Sequence, residues 1–193
     1  MVEARDNGVV GLTFGQTQTQ VLTNTGTIEA DPGGLIQLTS GGSGGSLTGT
    51  IINNGQINAV GGTIDITAQV TQSASGVMTI SNNGTLTLAG ATDGGTIIIQ
   101  SGMLNFAPTQ FAPGPYAASA LTSPVEFTGS NASLNFGEPV SEVFRAATND
   151  LLVTVPWGGG IATAADIHLQ GAYSAADFSV QGNQILYTAH PVI

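Results

Sequence analysis

The sequence predicts an all-β fold, specifically a parallel β-helix (β-solenoid) with coils of about 29 residues and a less regular C-terminal β cap. Three observations lead there. Short runs such as Thr63-Ile64-Asp65-Ile66-Thr67, Thr85-Leu86-Thr87-Leu88 and Leu134-Asn135-Phe136 alternate apolar with polar residues, the period of a half-buried strand. Asn-Gly and Gly-Gly pairs separate the runs, and these residues tolerate the positive φ of a sharp turn. Finally, Val21 to Ile28, Thr50 to Ile57 and Thr79 to Leu86 align without a gap at an offset of 29 residues both times.

A unit of that size holds a turn, a strand, a Gly pair and a second strand. The Gly pairs recur at Gly33-Gly34, Gly61-Gly62 and Gly94-Gly95, each followed by an apolar strand. Each coil advances by about 4.8 Å, the strand spacing, and buries its inward Ile, Leu and Val against its neighbours. One coil alone cannot bury that face, which is why the pattern repeats. Residues 1–106 are assigned to these repeats. Residues 107–124 form a Pro-rich excursion, where Pro108, Pro113 and Pro115 prevent continuous ladder pairing. Residues 125–193 continue the coils and form the cap, since Ser101 to Phe106 is echoed 30 positions later by Asn131 to Phe136. The aromatics Trp157, Tyr173, Phe178 and Tyr187 gather where the last coil needs a cover. A short helical turn is expected near Val140 to Thr148.

Composition narrows the function. The chain has 193 residues, of which 7% are charged, with a net charge of -10, no cysteine, and Arg5 and Arg145 as its only basic side chains. Mean hydropathy is positive, so there is apolar surface to bury and disorder is not expected. Two isolated arginines make no patch for phosphates, which excludes nucleic acid as a partner and any polybasic attraction to anionic lipid. Without cysteine there is no disulfide, thiol catalysis or Cys-based metal site. No apolar run approaches the roughly 20 residues of a membrane span. The start, Met1 to Asp6, lacks the basic head and apolar stretch of a signal peptide, so export through another signal, or a start at an excised boundary, is expected.

Stacked repeats align equivalent side chains. Asn24, Asn53 or Asn54, and Asn82 or Asn83 are the candidates for a corner ladder of amide hydrogen bonds. The alternative is that each Asn serves the left-handed turn before its glycine. Gly26, Gly55 and Gly84 are the expected turn glycines. The first strand-like run, Val9-Val10-Gly11-Leu12-Thr13-Phe14, has no amphipathic helix ahead of it. Val9, Val10, Leu12 and Phe14 are therefore assigned to a self-association edge, because an unpaired strand templates further pairing.

The motif Asn82-Asn83-Gly84-Thr85-Leu86-Thr87-Leu88, with Gly94 to Gly102 after it, resembles the β-strand-repeat surface proteins of Gram-negative bacteria, filamentous-haemagglutinin-like and autotransporter-passenger regions among them. The ending, Ile167 to Ser174 with Asp177 to Val180, is similar to stretches of large secreted proteins of that kind. The resemblance covers most of the chain through low-complexity motifs. It implies a secreted β-helix used for adhesion, matrix building or display, extracellular or on the cell surface, with no catalytic residues to carry over. Such passengers belong to much longer chains with export signals, a departure here.

No cluster of catalytic type stands out. Asp65, Asp93, Asp150, Asp166 and Asp177 are scattered and read as solvated carboxylates rather than as an acid–base pair. His168 alternates with Ile167 and Leu169, and His190 lies in a tail, so neither is assigned to a metal. The Gly41 to Ser46 run lacks the Asp of a calcium-binding repeat, and Gly158-Gly159-Gly160 lacks the Lys of a phosphate loop. Asn131-Ala132-Ser133 is a weak sequon, and Thr-x-Thr pairs are ordinary strand chemistry rather than an ice-binding array. No enzymatic activity, catalytic residue, metal or cofactor is expected. The leading expectation is a structural or adhesive protein, a homo-oligomer or homopolymer stacked end to end, with a surface glycan as a further partner. A glycan-binding or polysaccharide-cleaving β-helix and a phage tail-fibre or spike segment are the two alternatives.

Overall fold

The computed structural model describes residues 1–14, 20–40, 49–88, 92–106, 121–157 and 160–188. Strands follow one another in threes: β1 (Val2–Ala4), β2 (Val9–Phe14), β3 (Gln20–Asn24); β4 (Thr27–Ala30), β5 (Leu35–Ser40), β6 (Gly49–Asn53); β7 (Gln56–Val60), β8 (Thr63–Ile66), β9 (Gln69–Gln72); β10 (Val77–Ser81), β11 (Gly84–Leu88), β12 (Thr92–Asp93). Two further pairs continue the series, β13 (Thr96–Ile99) with β14 (Gly102–Phe106), and β15 (Val125–Phe127) with β16 (Ala132–Asn135).

Members of successive triplets pair in parallel. The first sheet runs β1-β4-β7-β10-β13-β15 and a second, four-stranded sheet runs β3-β6-β9-β12. The third begins β2-β5-β8-β11-β14-β16, all parallel. Register places like on like. Ile28, Ile57, Met78, Ile97 and Val125 follow one another across the first sheet, all buried. On the third sheet Ile36, Ile64, Leu86, Leu104 and Leu134 do the same. Alternate residues face outward and are polar, which is the period-2 pattern of the sequence expressed in space.

The 29-residue spacing holds only at the start. Thr27 pairs with Gln56, 29 residues on, but Gln56 pairs with Val77 and Val77 with Thr96, 21 and 19 residues on. The connection between β5 and β6 includes residues 41–48, whereas β8 and β9 are joined by Thr67 and Ala68 alone. Consequently Thr79 pairs with Asn58, and the third sequence repeat does not stack on the second in the register of the alignment.

The sheets cross the Pro-rich segment, since β13 pairs with β15 and β14 with β16. Of that segment, residues 107–120 lie outside the described residues, and Leu121 and Ser123 are buried. Beyond it the pairing turns antiparallel. β17 (Ser141–Arg145), β18 (Asp150–Trp157) and β19 (Gly160–His168) form a meander with a register shift between Val153 and Thr154. The helical turn expected near Val140 to Thr148 is replaced by β17 and a turn. Val143 and Phe144 pair with Leu152 and Leu151, and these cross-strand contacts favour the extended form. The described helical content is one 3₁₀ turn, Ala175–Asp177, closed by a capping box between Ser174 and Asp177. β20 (Phe178–Gln181) and β21 (Gln184–Tyr187) then extend the third sheet to eight strands, ordered β16-β21-β20.

An aromatic cluster covers this end. Phe127 stacks on Tyr187 at 5.0 Å and meets Phe178 at 5.7 Å and Tyr173 at 6.2 Å between ring centroids. Tyr173 Oη accepts the Phe127 N–H at 2.8 Å, so its polar tip is satisfied while its ring packs. The Trp157 side chain lies outside the described set. No described helix is long and apolar enough to cross a membrane.

Candidate functional site: an internal amide ladder and two sheet edges

The predicted ladder residues divide into two groups. Asn24 and Asn53 end β3 and β6, pair in register and point inward. Asn24 Nδ2 donates to Asn53 Oδ1 at 2.8 Å, and Asn53 Nδ2 donates to Gln72 Oε1 at 3.0 Å. Gln72 Nε2 continues to the Gly94 carbonyl at 3.3 Å and Ser123 Oγ at 3.4 Å. The Ser123 hydroxyl in turn donates to the Gly94 carbonyl. Asn53 is fully buried, and its remaining capacity is used by the Gly55 N–H at 3.3 Å and the Val77 carbonyl at 3.4 Å. A buried amide is costly unless each group is matched, and here each rung matches the next.

Asn54, Asn82 and Asn83 are exposed and stand outside this chain of bonds. Asn82 and Asn83 hold φ of 51° and 61°, the left-handed turn that Asn accepts more readily than other residues. They sit where β10 turns into β11, a different corner from that of Asn53. Gln72, Ser123 and an outer pair, Asn135 to Asn105 at 3.0 Å, were missed by the sequence reading. Their signal was only the strand register, which the variable connections conceal.

The turn glycines also differ from expectation. Gly26, Gly55 and Gly84 are not in the positive-φ region. Gly55 is required by close approach, since a Cβ there would lie 2.1 Å from the Gly26 carbonyl oxygen; at Gly84 it would lie 2.2 Å from that of Ala59. Gly26, in the first triplet, has nothing within 4 Å.

Charged groups pair locally. Glu3, Glu29 and Asp31 bring carboxylate oxygens within 4.8 Å of one another. Arg5 lies among them, hydrogen-bonded to Glu3 and 3.0 Å from Asp31, and these contacts raise its pKa. Arg145 meets Asp166 at 3.1 Å. His168 Nδ1 meets Asp150 at 2.9 Å, and the Thr148 hydrogen bond, followed by that of His168, lowers the Asp150 pKa. His190 and the Gly41 to Ser46 run lie outside the described residues. Glu142 is half-buried beside Val153, and desolvation raises its pKa.

At the N-terminal edge Val9 is 64% exposed, while Val10 and Leu12 point inward, half-buried, above Ile36 and Leu38. Phe14 ends β2, and its side chain lies outside the described set. The arrangement offers stacking surfaces and strand edges rather than a gathered acid–base pair among the described residues. No protein-family model, curated protein or solved structure matches the chain.

Proposed function

We propose that the chain is a parallel β-helix serving as a non-catalytic structural or adhesive component outside the cell, at its surface or in a biofilm matrix, whose copies associate end to end into fibres. The observation that carries this reading is the ordered return of the chain to the same three parallel sheets, with like side chains in register. Such a stack grows by adding layers, and a further copy is a further set of layers. The low charge supports it too: Thr, Asn, Gln and Gly hydrate the surface, and only the net charge of -10 opposes contact between copies. A surface glycan remains a partner of the adhesive role.

Electron microscopy of the purified chain, with immunogold labelling of intact source cells, tests both halves of the reading. Fibres in solution and label outside the cell are expected. A monodisperse monomer at every pH and salt concentration would overturn the assembly reading. Label confined to the cell interior would overturn the extracellular one.

A further inference from the structure

The third sheet holds an unbroken inward row: Val10, Ile36, Ile64, Leu86, Leu104, Leu134, Ile185 and Val180. Its six interior members are buried, whereas Val10 is half-buried and Val180 is 41% exposed. The exposure of the two ends has one cause, since each lies on a strand with no partner beyond it among the described residues. β16 and β21 are antiparallel, and so are β21 and β20. Two reversals restore the direction, so β20 runs parallel to β2.

We propose that β20 of one copy pairs in parallel with β2 of the next, seating Val180 against Val10 and continuing the sheet from protomer to protomer. This rests on the end-to-end reading above and specifies its junction. The backbone is phased for it. The Gly8 carbonyl accepts from the Leu35 N–H at 2.9 Å, so Gly8, Val10 and Leu12 aim their backbone groups at β5 while Val9, Gly11 and Thr13 aim theirs away. The Asp177 carbonyl accepts from the Thr188 N–H at 2.8 Å, so Ser179 and Gln181 face β21 and Val180 faces outward. With Val180 opposite Val10, the Val180 N–H reaches the Val9 carbonyl. The Gly11 N–H then reaches the Val180 carbonyl, and the Val9 N–H reaches that of Phe178.

Charge also favours this junction over one between two N-terminal ends. Glu3, Asp6, Glu29 and Asp31 surround Arg5 near β1, and meeting a second such end would double the acid at one contact. β2 and β20 carry no charge at all. A head-to-tail contact does not close on itself unless its rotation forms a ring, so it propagates as a fibre.

The chain lacks cysteine, so introduced thiols report cleanly. Val10→Cys and Val180→Cys chains are purified separately, then treated alone and mixed with a short bismaleimide, and the products are sized. Linked species are expected in the mixture and absent from either chain alone. In the unlabelled protein, Val180→Asp is expected to lower the sedimentable fraction about tenfold, as loss of a modest contact does, with the circular-dichroism spectrum unchanged because Val180 is exposed. Val10→Cys linking to itself would overturn the proposal by showing an N-end to N-end contact. Fibres that form without a Val10–Val180 link would overturn this junction and leave the assembly reading standing. A wild-type chain that never sediments beyond a monomer would overturn both.

Discussion

Asn53-Asn54-Gly55 and Asn82-Asn83-Gly84 share one tripeptide and occupy different corners. At the first, Asn53 faces inward and bonds to Asn24 and Gln72, so its amide belongs to the core. At the second, Asn82 and Asn83 face solvent, and their left-handed backbone is what the chain uses. In both, the glycine makes room for a carbonyl of the preceding layer. The same letters therefore carry different free energies, and substitution separates them.

The largest effect is expected at the inward corner. Asn53→Ala strands the Gln72 acceptor and removes bonds to Asn24 and the Gly55 N–H, with an expected loss of about 3 kcal/mol on denaturant unfolding. Gln72→Ala added to it should cost less than its separate loss, because the bond between them is already gone. An additive pair would contradict a continuous ladder. Next come the glycines. Gly55→Ala meets a backbone oxygen and is expected to cost about 2 kcal/mol, as overpacking does, whereas Gly26→Ala meets nothing and should fall within about 0.5 kcal/mol of wild type. Equal effects would show that turn conformation, not layer contact, selects the glycine.

At the outward corner, Asn83→Ala should cost about 1 kcal/mol, the penalty of a left-handed Cβ-bearing residue, while Asn83→Gly is close to neutral. A loss on Asn83→Gly as large as that of Asn53→Ala would place Asn83 in the ladder after all. The smallest effect concerns Glu142. Its raised pKa means the carboxylate is held less comfortably in the fold than in the unfolded chain. Glu142→Gln is therefore expected to stabilise near neutral pH by less than about 1 kcal/mol, discounted for its solvent exposure. The gain should fade as pH falls through the Glu142 pKa and the wild-type carboxyl protonates. A gain that persists in acid would locate the effect elsewhere.

These differences also mark how far the sequence could be read. Alternation and turn residues exposed the strands, because period-2 patterning and Gly-rich corners are local. Val21 to Ile28 and Thr50 to Ile57 were correctly superposed, as their pairing shows. The third repeat misled because Asn-Asn-Gly serves two corners, and because the connection after β8 is shorter than that after β5. Gln72 replaces Asn at the ladder position, one methylene longer and invisible to a search for Asn. β20 was legible as a strand, but its direction depends on two hairpin reversals that no local pattern records.

The direct measurement of the central claim is the axial rise of the fibre by helical reconstruction from electron micrographs. A sheet of eight strands, each about 4.8 Å from the next, continued head to tail, predicts a rise of about 38 Å per protomer. A repeat of twice that value containing two oppositely directed protomers, or a rise unrelated to the strand count, would contradict it.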